Sequence, residues 1–178
     1  MTPSTTSMVH PLEALWSRLR LWRCAEVGRA PSVVGRVWVH GSGSVRLGHR
    51  IRVEGGLAPV ELHAGPGAEL VIGDDVVIGA GSTIEALRSV TIGDRCRLGG
   101  FTRIMDNHFH SVRGDRRERP ASLPVVVEED ASIGWRAILL PGARVARGAV
   151  VASGGIVRAS PLAIGAGAGA PASGTREG

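Results

Sequence analysis

A chain of 178 residues, 43% of them apolar, suffices for one domain with a sizeable core, and that composition excludes whole-chain disorder. The 26 glycines show no period of three, which excludes a collagen-like rod, and four Trp and two Phe leave Val, Ile, Leu and Ala to fill the interior. All 21 basic residues are arginine, giving a net charge of +5, yet they are scattered and their dense run Arg113–Arg119 is broken by Asp115 and Glu118, so nucleic-acid binding is not expected. Cys24 and Cys96 stand far apart, as reduced thiols of a cytoplasmic protein do. No apolar run reaches membrane-spanning length and no signal peptide opens the chain, so a soluble protein is expected.

Residues 1–30 read as an amphipathic helix and a linker. Leu12, Leu15, Trp16, Leu19 and Trp22 recur at helical spacing, with Arg18, Arg20 and Arg23 interleaved. Two readings fit: a cap over the open end of whatever follows, or a peripheral membrane helix with Trp at the interface and Arg facing anionic lipid.

The middle of the chain repeats. From residue 127 an aliphatic side chain recurs at every sixth position, Val127, Ile133, Leu139, Val145, Val151 and Val157, with a small or apolar residue two places before each. Upstream the spacing runs Ile72, Ile78, Ile84 and, after a two-residue slip at Ala86–Ser89, Ile92, Leu98, Ile104. Weaker traces reach back through Leu47 and Val53 towards Val33–Val39. A period of six fits neither a helix nor a hairpin sheet. Residues two apart share one face of an extended segment, so each hexad turns a pair inward before a corner. Glycine after the aliphatic residue, as in Ile72-Gly73 and Ile92-Gly93, permits the positive φ such a corner needs. Three hexads make a coil of about 18 residues, and stacked coils pair in parallel around an aliphatic column. The expected fold is all-β, a parallel β-helix over residues 31–160; a sandwich would space its strands by about 8–12 residues.

Between Ile104 and Val127 the repeat lapses into a polar stretch, and residues 107–124 read as a long loop extruded from a corner. Residues 161–178 are Gly/Ala-rich and read as a loose C-terminal segment.

Several motifs carry a family resemblance: Ile72-Gly73-Asp74-Asp75, Ile92-Gly93-Asp94, Asp106-Asn107-His108-Phe109-His110-Ser111, Ile133-Gly134 with Leu140-Pro141-Gly142, Gly148-Ala149-Val150-Val151, and Ala168-Gly169-Ala170-Pro171-Ala172. Over roughly residues 33–172 the chain resembles the hexapeptide-repeat acyltransferases, whose β-helix is left-handed. Within them it is most similar to the sugar and polysaccharide O-acetyltransferases of the maltose and galactoside acetyltransferase group. The resemblance implies transfer of an acetyl group from acetyl-CoA, without a metal, to a hydroxyl of a sugar or polysaccharide precursor. It also implies a homotrimer with acetyl-CoA in the groove between neighbouring subunits. The family's loop histidine, its general base, aligns with His110, and His108 competes because one residue of slip exchanges them. Asp106 either orients the imidazole, contacts the acceptor, or forms a turn with its own backbone. Trp135, Ser153 and Arg158 fall where the family binds CoA.

Departures from the family pattern include Ser132 where Trp is common and Arg158-Ala159 where Thr-Lys is usual. They keep a second reading open, a catalytically inactive trimerisation scaffold. A third, a zinc carbonic anhydrase of the same architecture, needs three convergent imidazoles, and no His pair has the required separation within a hexad.

Overall fold

The computed structural model describes residues 11–108 and 121–159. After one helix, α1 (Pro11–Arg20), the chain winds as the expected left-handed parallel β-helix, a three-sided solenoid of six coils. The first face stacks Glu26–Val27, Ser44–Leu47, Glu69–Ile72, Ser89–Ile92, Val125–Val127 and Arg144–Val145. The second and third faces form one ten-stranded sheet, because Ser32–His40 and Arg52–Ala64 run through the corner between them. Above those two long strands, the second face continues as Val77–Ile78, Arg97–Leu98, Ser132–Ile133 and Val150–Val151. The third continues as Thr83–Ala86, Arg103–Met105, Ile138–Leu139 and Ile156–Val157.

The hexad positions stack as their parity requires. Ile72, Ile78, Ile84, Ile92 and Ile104 are buried, with the residue two places earlier also turned inward, as in Ala131 with Ile133 and Ala137 with Leu139. Each such Ile or Leu contributes about 1.5–3 kcal/mol by leaving water. Two hydroxyls replace methyls in this column, and both are satisfied: Ser82 and Thr102 donate to the Gly99 carbonyl at 3.0 and 2.8 Å.

The reason for glycine after each aliphatic residue differs from the one expected. Gly79, Gly99 and Gly134 have no positive φ; a Cβ on Gly99 would stand 2.7 Å from the backbone N of Trp135, one coil on. Glycine there lets one coil lie on the next. The left-handed residue comes two places later and is often not glycine, as at Asp75, Arg95, Phe101 and Arg136.

Extra residues gather at the corner from the third face to the first. There Ile84 and Ile92 are eight apart, and Ile104 and Val127 are 23 apart. Of the expected loop, residues 109–120 lie outside the described residues, as do the C-terminal residues 160–178.

The edge between the first and second faces carries a column of ion pairs. Arg50 Nε lies 2.6 Å from Asp75, and Arg95 pairs with both Asp130 and Glu129 at 2.6 Å. Arg147 also meets Glu129, and Arg144 meets Glu128. Below them the polar side chain after each glycine caps the coil beneath: Asp94 accepts from Asp74 N, Asp74 from His49 N, and His49 Nδ1 from Arg29 N, at 2.7–2.8 Å.

The helix sits on the open lower end through its polar side. Ser17 and Leu21 are buried there, and Ser17 Oγ accepts Val33 N at 2.9 Å. Arg18 donates to the carbonyls of Val27 and Gly28, and Arg20 to that of Val33, occupying acceptors that a further coil would have met. The apolar stripe Leu12, Leu15, Trp16, Leu19 and Trp22 faces away from the β-helix.

Candidate functional site

A groove of about 830 Å³ runs parallel to the solenoid axis, along the second face and its corner with the third. The same corner position in successive coils builds its floor: Gly56-Leu57, Gly79-Ala80, Gly99-Gly100, Gly134-Trp135 and Ala152-Ser153. Small residues recur there because the coils approach so closely, and the result is a long, shallow, largely apolar channel. Its upper end is walled by Trp135, 54% exposed, whose ring lies over Gly100 and 6.2 Å from that of Phe101. Ser153, one coil higher, accepts the Trp135 backbone N–H at 3.2 Å. Two of the residues expected to hold CoA therefore stand together in one groove.

Arg158 does not join them. It is exposed beyond the third face, next to Ala159, which closes against Gly142 at the corner where the loop returns. The groove has another cation: Arg97, exposed on the second face, lines it, with Glu54 lower down. Sequence reasoning passed over Arg97, although its place directly before the inward Leu98 marks it as outward-facing.

The loop base is at the opposite edge of the third face from the groove. Asp106 is fully buried there, and its carboxylate accepts the backbone N–H groups of Leu87 (2.8 Å), Arg88 (2.6 Å) and Ser89 (2.7 Å), the corner one coil below. Those donors belong to the two-residue slip seen in the sequence. Its backbone carbonyl accepts Leu123 N at 2.8 Å, and Leu123 O accepts Gly142 N at 3.0 Å, so both ends of the loop are tied to one spot. Asn107 is 2% exposed, and its amide has no hydrogen-bond partner among the described residues. His108 is exposed, whereas His110 lies outside the described residues.

Other histidines are engaged elsewhere. The rings of His40 and His63 stack with centroids 4.7 Å apart, and His63 Nδ1 is 3.6 Å from Glu85 Oε1. Among the described residues no three His, Cys, Asp or Glu side chains converge on a point a metal would occupy.

A family model described as the hexapeptide repeat of succinyl-transferase matches residues 69–100 and 124–159, the coils on either side of the loop. These coils carry the hexapeptide repeat. A stretch of 40 residues, 22% of the chain, is 50% identical to 2,3,4,5-tetrahydropyridine-2,6-dicarboxylate N-acetyltransferase of Staphylococcus aureus, of which it spans 17%. Among solved structures, a point mutant of AntD, an N-acyltransferase from Bacillus cereus, in complex with dTDP-4-amino-4,6-dideoxyglucose and coenzyme A, matches with a TM-score of 0.62 at 14% identity, covering 80% of this chain and 77% of that one. AntD in complex with dTDP and 3-hydroxybutyryl-CoA matches at 0.63 and 14%, covering 78% and 74%. At such identity the likeness is one of fold.

Proposed function

We propose that this protein is an acyltransferase that moves an acetyl group from acetyl-CoA to a hydroxyl of a sugar or polysaccharide precursor in the cytoplasm. The observation that carries the reading is the groove: a channel floored by glycine and alanine, parallel to the hexapeptide coils, ending between Trp135 and Ser153. A pantetheine arm is long, thin and weakly polar, and such a floor admits it close to backbone amides. Arg97 beside the groove offers a guanidinium to a phosphate, a role that sequence alone gave to Arg158.

A sugar hydroxyl is a poor nucleophile at neutral pH. A neutral imidazole on the loop, His110 or its competitor His108, takes the hydroxyl proton as oxygen attacks the thioester carbonyl; the C–S bond then breaks, and the leaving sulfur receives a proton. General-base help of this kind is worth about 10²–10⁴-fold. We assign Asp106 to holding the loop base, since its carboxylate is buried and already accepts three backbone N–H groups. Groove and loop base occupy opposite edges of the third face, which favours a site completed between copies and hence a homotrimer.

An amino sugar is the second acceptor to consider, because AntD is an N-acyltransferase crystallised with an amino-sugar nucleotide. The test is a screen of sugar, amino-sugar and polysaccharide-precursor acceptors with acetyl-CoA, reading free thiol and product mass. CoA release with a product heavier by one acetyl group is expected. Release with none of the acceptors, from a protein that light scattering shows to be an intact trimer, would leave it a scaffold.

A further inference from the structure

The amphipathic helix α1 is mounted with its apolar side outward. A helix serving only to close the end of a β-solenoid buries its apolar stripe on the open core, yet here Ser17, Arg18 and Arg20 make the contacts, with Leu21 just past the helix the one large apolar side chain buried there. Leu12, Leu15, Trp16, Leu19 and Trp22, at spacings of three and four, are 60–72% exposed, with Trp22 the most exposed. Polar anchoring explains how the helix is held but not why the outer face carries five large apolar side chains.

Charge says what covers that face. From residue 11 to residue 36 the chain carries five arginines against two glutamates, a net +3 within the whole chain's +5. Arg23, Arg29 and Arg36 are exposed at the same end of the solenoid, and the Arg23 guanidinium lies 5.5 Å from the Trp22 ring centre. Tryptophans with adjacent guanidiniums around a leucine stripe match the boundary between acyl chains and anionic headgroups. No helix among the described residues is long and apolar enough to cross a membrane, so α1 would lie in the interface plane.

We propose that α1 docks the lower end of the solenoid onto an anionic lipid surface. Leu12, Leu15, Trp16, Leu19 and Trp22 enter the headgroup boundary, and Arg23, Arg29 and Arg36 meet lipid phosphates. This surface is independent of the acyl-transfer reading. It adds an address to the protein rather than a step to its chemistry.

Co-sedimentation of the full chain with vesicles tests it, comparing phosphatidylcholine alone with phosphatidylcholine containing phosphatidylglycerol. Binding to the anionic vesicles is expected to be about tenfold tighter than to neutral ones and to weaken with salt. The double substitution W16Q/W22Q is expected to lower that binding about tenfold or more with the melting temperature unchanged. Leu15→Gln, which leaves both tryptophans for fluorescence, should weaken binding and retain a smaller blue shift. Absence of wild-type binding to anionic vesicles overturns the proposal, as does binding indifferent to all three substitutions. A smaller particle by light scattering for W16Q/W22Q overturns it too, because the face would then join copies of the chain.

Discussion

Asp106 Oδ2 accepts the backbone N–H of Arg88 at 2.6 Å across one coil of the solenoid, so the residue that opens the extruded loop also closes the corner beneath it. With Leu87 and Ser89 also donating, Asp106→Ala strands three backbone N–H groups in a half-buried corner, each worth about 1–3 kcal/mol when unsatisfied. Water reaches part of this corner, so the expected outcome is a loss of about 1–3 kcal/mol in urea unfolding. Asp106→Asn, which keeps one acceptor oxygen, should lose less. Equal stability of Asp106→Ala and the parent protein would show that the corner does not depend on this carboxylate.

Gly99 and Gly100 are adjacent, yet alanine there should do different things. On Gly99 a Cβ meets backbone, the N of Trp135 at 2.7 Å, which cannot yield; Gly99→Ala should cost about 1–3 kcal/mol of stability. On Gly100 it meets the ring of Trp135 at 2.9 Å, which can swing away, and the Ala80 carbonyl oxygen at 3.1 Å, which need give by only a few tenths of an ångström. Gly100→Ala is therefore expected to melt near the parent temperature while raising KM for acetyl-CoA about tenfold, with kcat little changed. An unchanged KM would remove the Trp135 end of the groove from the binding site.

Much of this was legible in the sequence and some was not, for definable reasons. The inward column could be read from Val127 to Val157 because burial follows strand parity, and the two-residue slip after Ala86 marked a corner because any departure from six must be absorbed there. The purpose of the Ile-Gly pairs was misassigned, since close approach of coils is a property of the stack and not of the hexad. Trp135 and Ser153 meet because they occupy equivalent positions one coil apart, which the repeat supplies. Arg158 was placed by likeness to a motif rather than by parity, and it stands on a different edge from Arg97. The sequence left two orientations of α1 open, because a helical period says which side chains share a face but not which way that face turns.

Catalysis by the loop predicts unequal histidines. His110→Ala is expected to lower kcat by about 10²–10⁴-fold with KM for acetyl-CoA nearly unchanged, and His108→Ala by less than about tenfold. Steady-state kinetics on the acceptor found in the screen would check this. The reverse order would transfer the base to His108, and two unimpaired variants would remove the imidazole mechanism.

The ion-pair column gives the stability a pH dependence of known sign. The Arg95 guanidinium holds the Asp130 carboxyl below its usual range, Arg50 does so for Asp75, and Arg144 for Glu128. A carboxylate whose folded pKa is depressed stabilises the fold fully above its unfolded pKa, about 4, and loses that contribution as pH falls through the lower folded value. Melting temperature is therefore expected to be level from pH 6 to pH 8 and to fall below about pH 4. These pairs are exposed, so the effect should be modest and shrink in high salt. In Asp130→Asn the fall should be shallower, and an identical acid limb would exclude this column as its source.

Burial makes the two thiols poor nucleophiles. Cys24, half-buried against the core, has its pKa pushed up to about 12 by desolvation, and burial also raises that of Cys96, whose Sγ donates to Glu128 O at 3.1 Å. Only the thiolate reacts with alkylating agents, so at pH 8 Cys24 should carry roughly a thousandth of the thiolate of a free cysteine. Iodoacetamide is expected to label the folded protein more than about a hundredfold more slowly than the protein in denaturant. The sign for stability follows: between about pH 9 and 12 the unfolded chain ionises at Cys24 while the folded one does not, so the fold weakens as pH rises through that window. Labelling of Cys24 at the same rate in the folded and denatured protein would mean that the core does not shield this thiol.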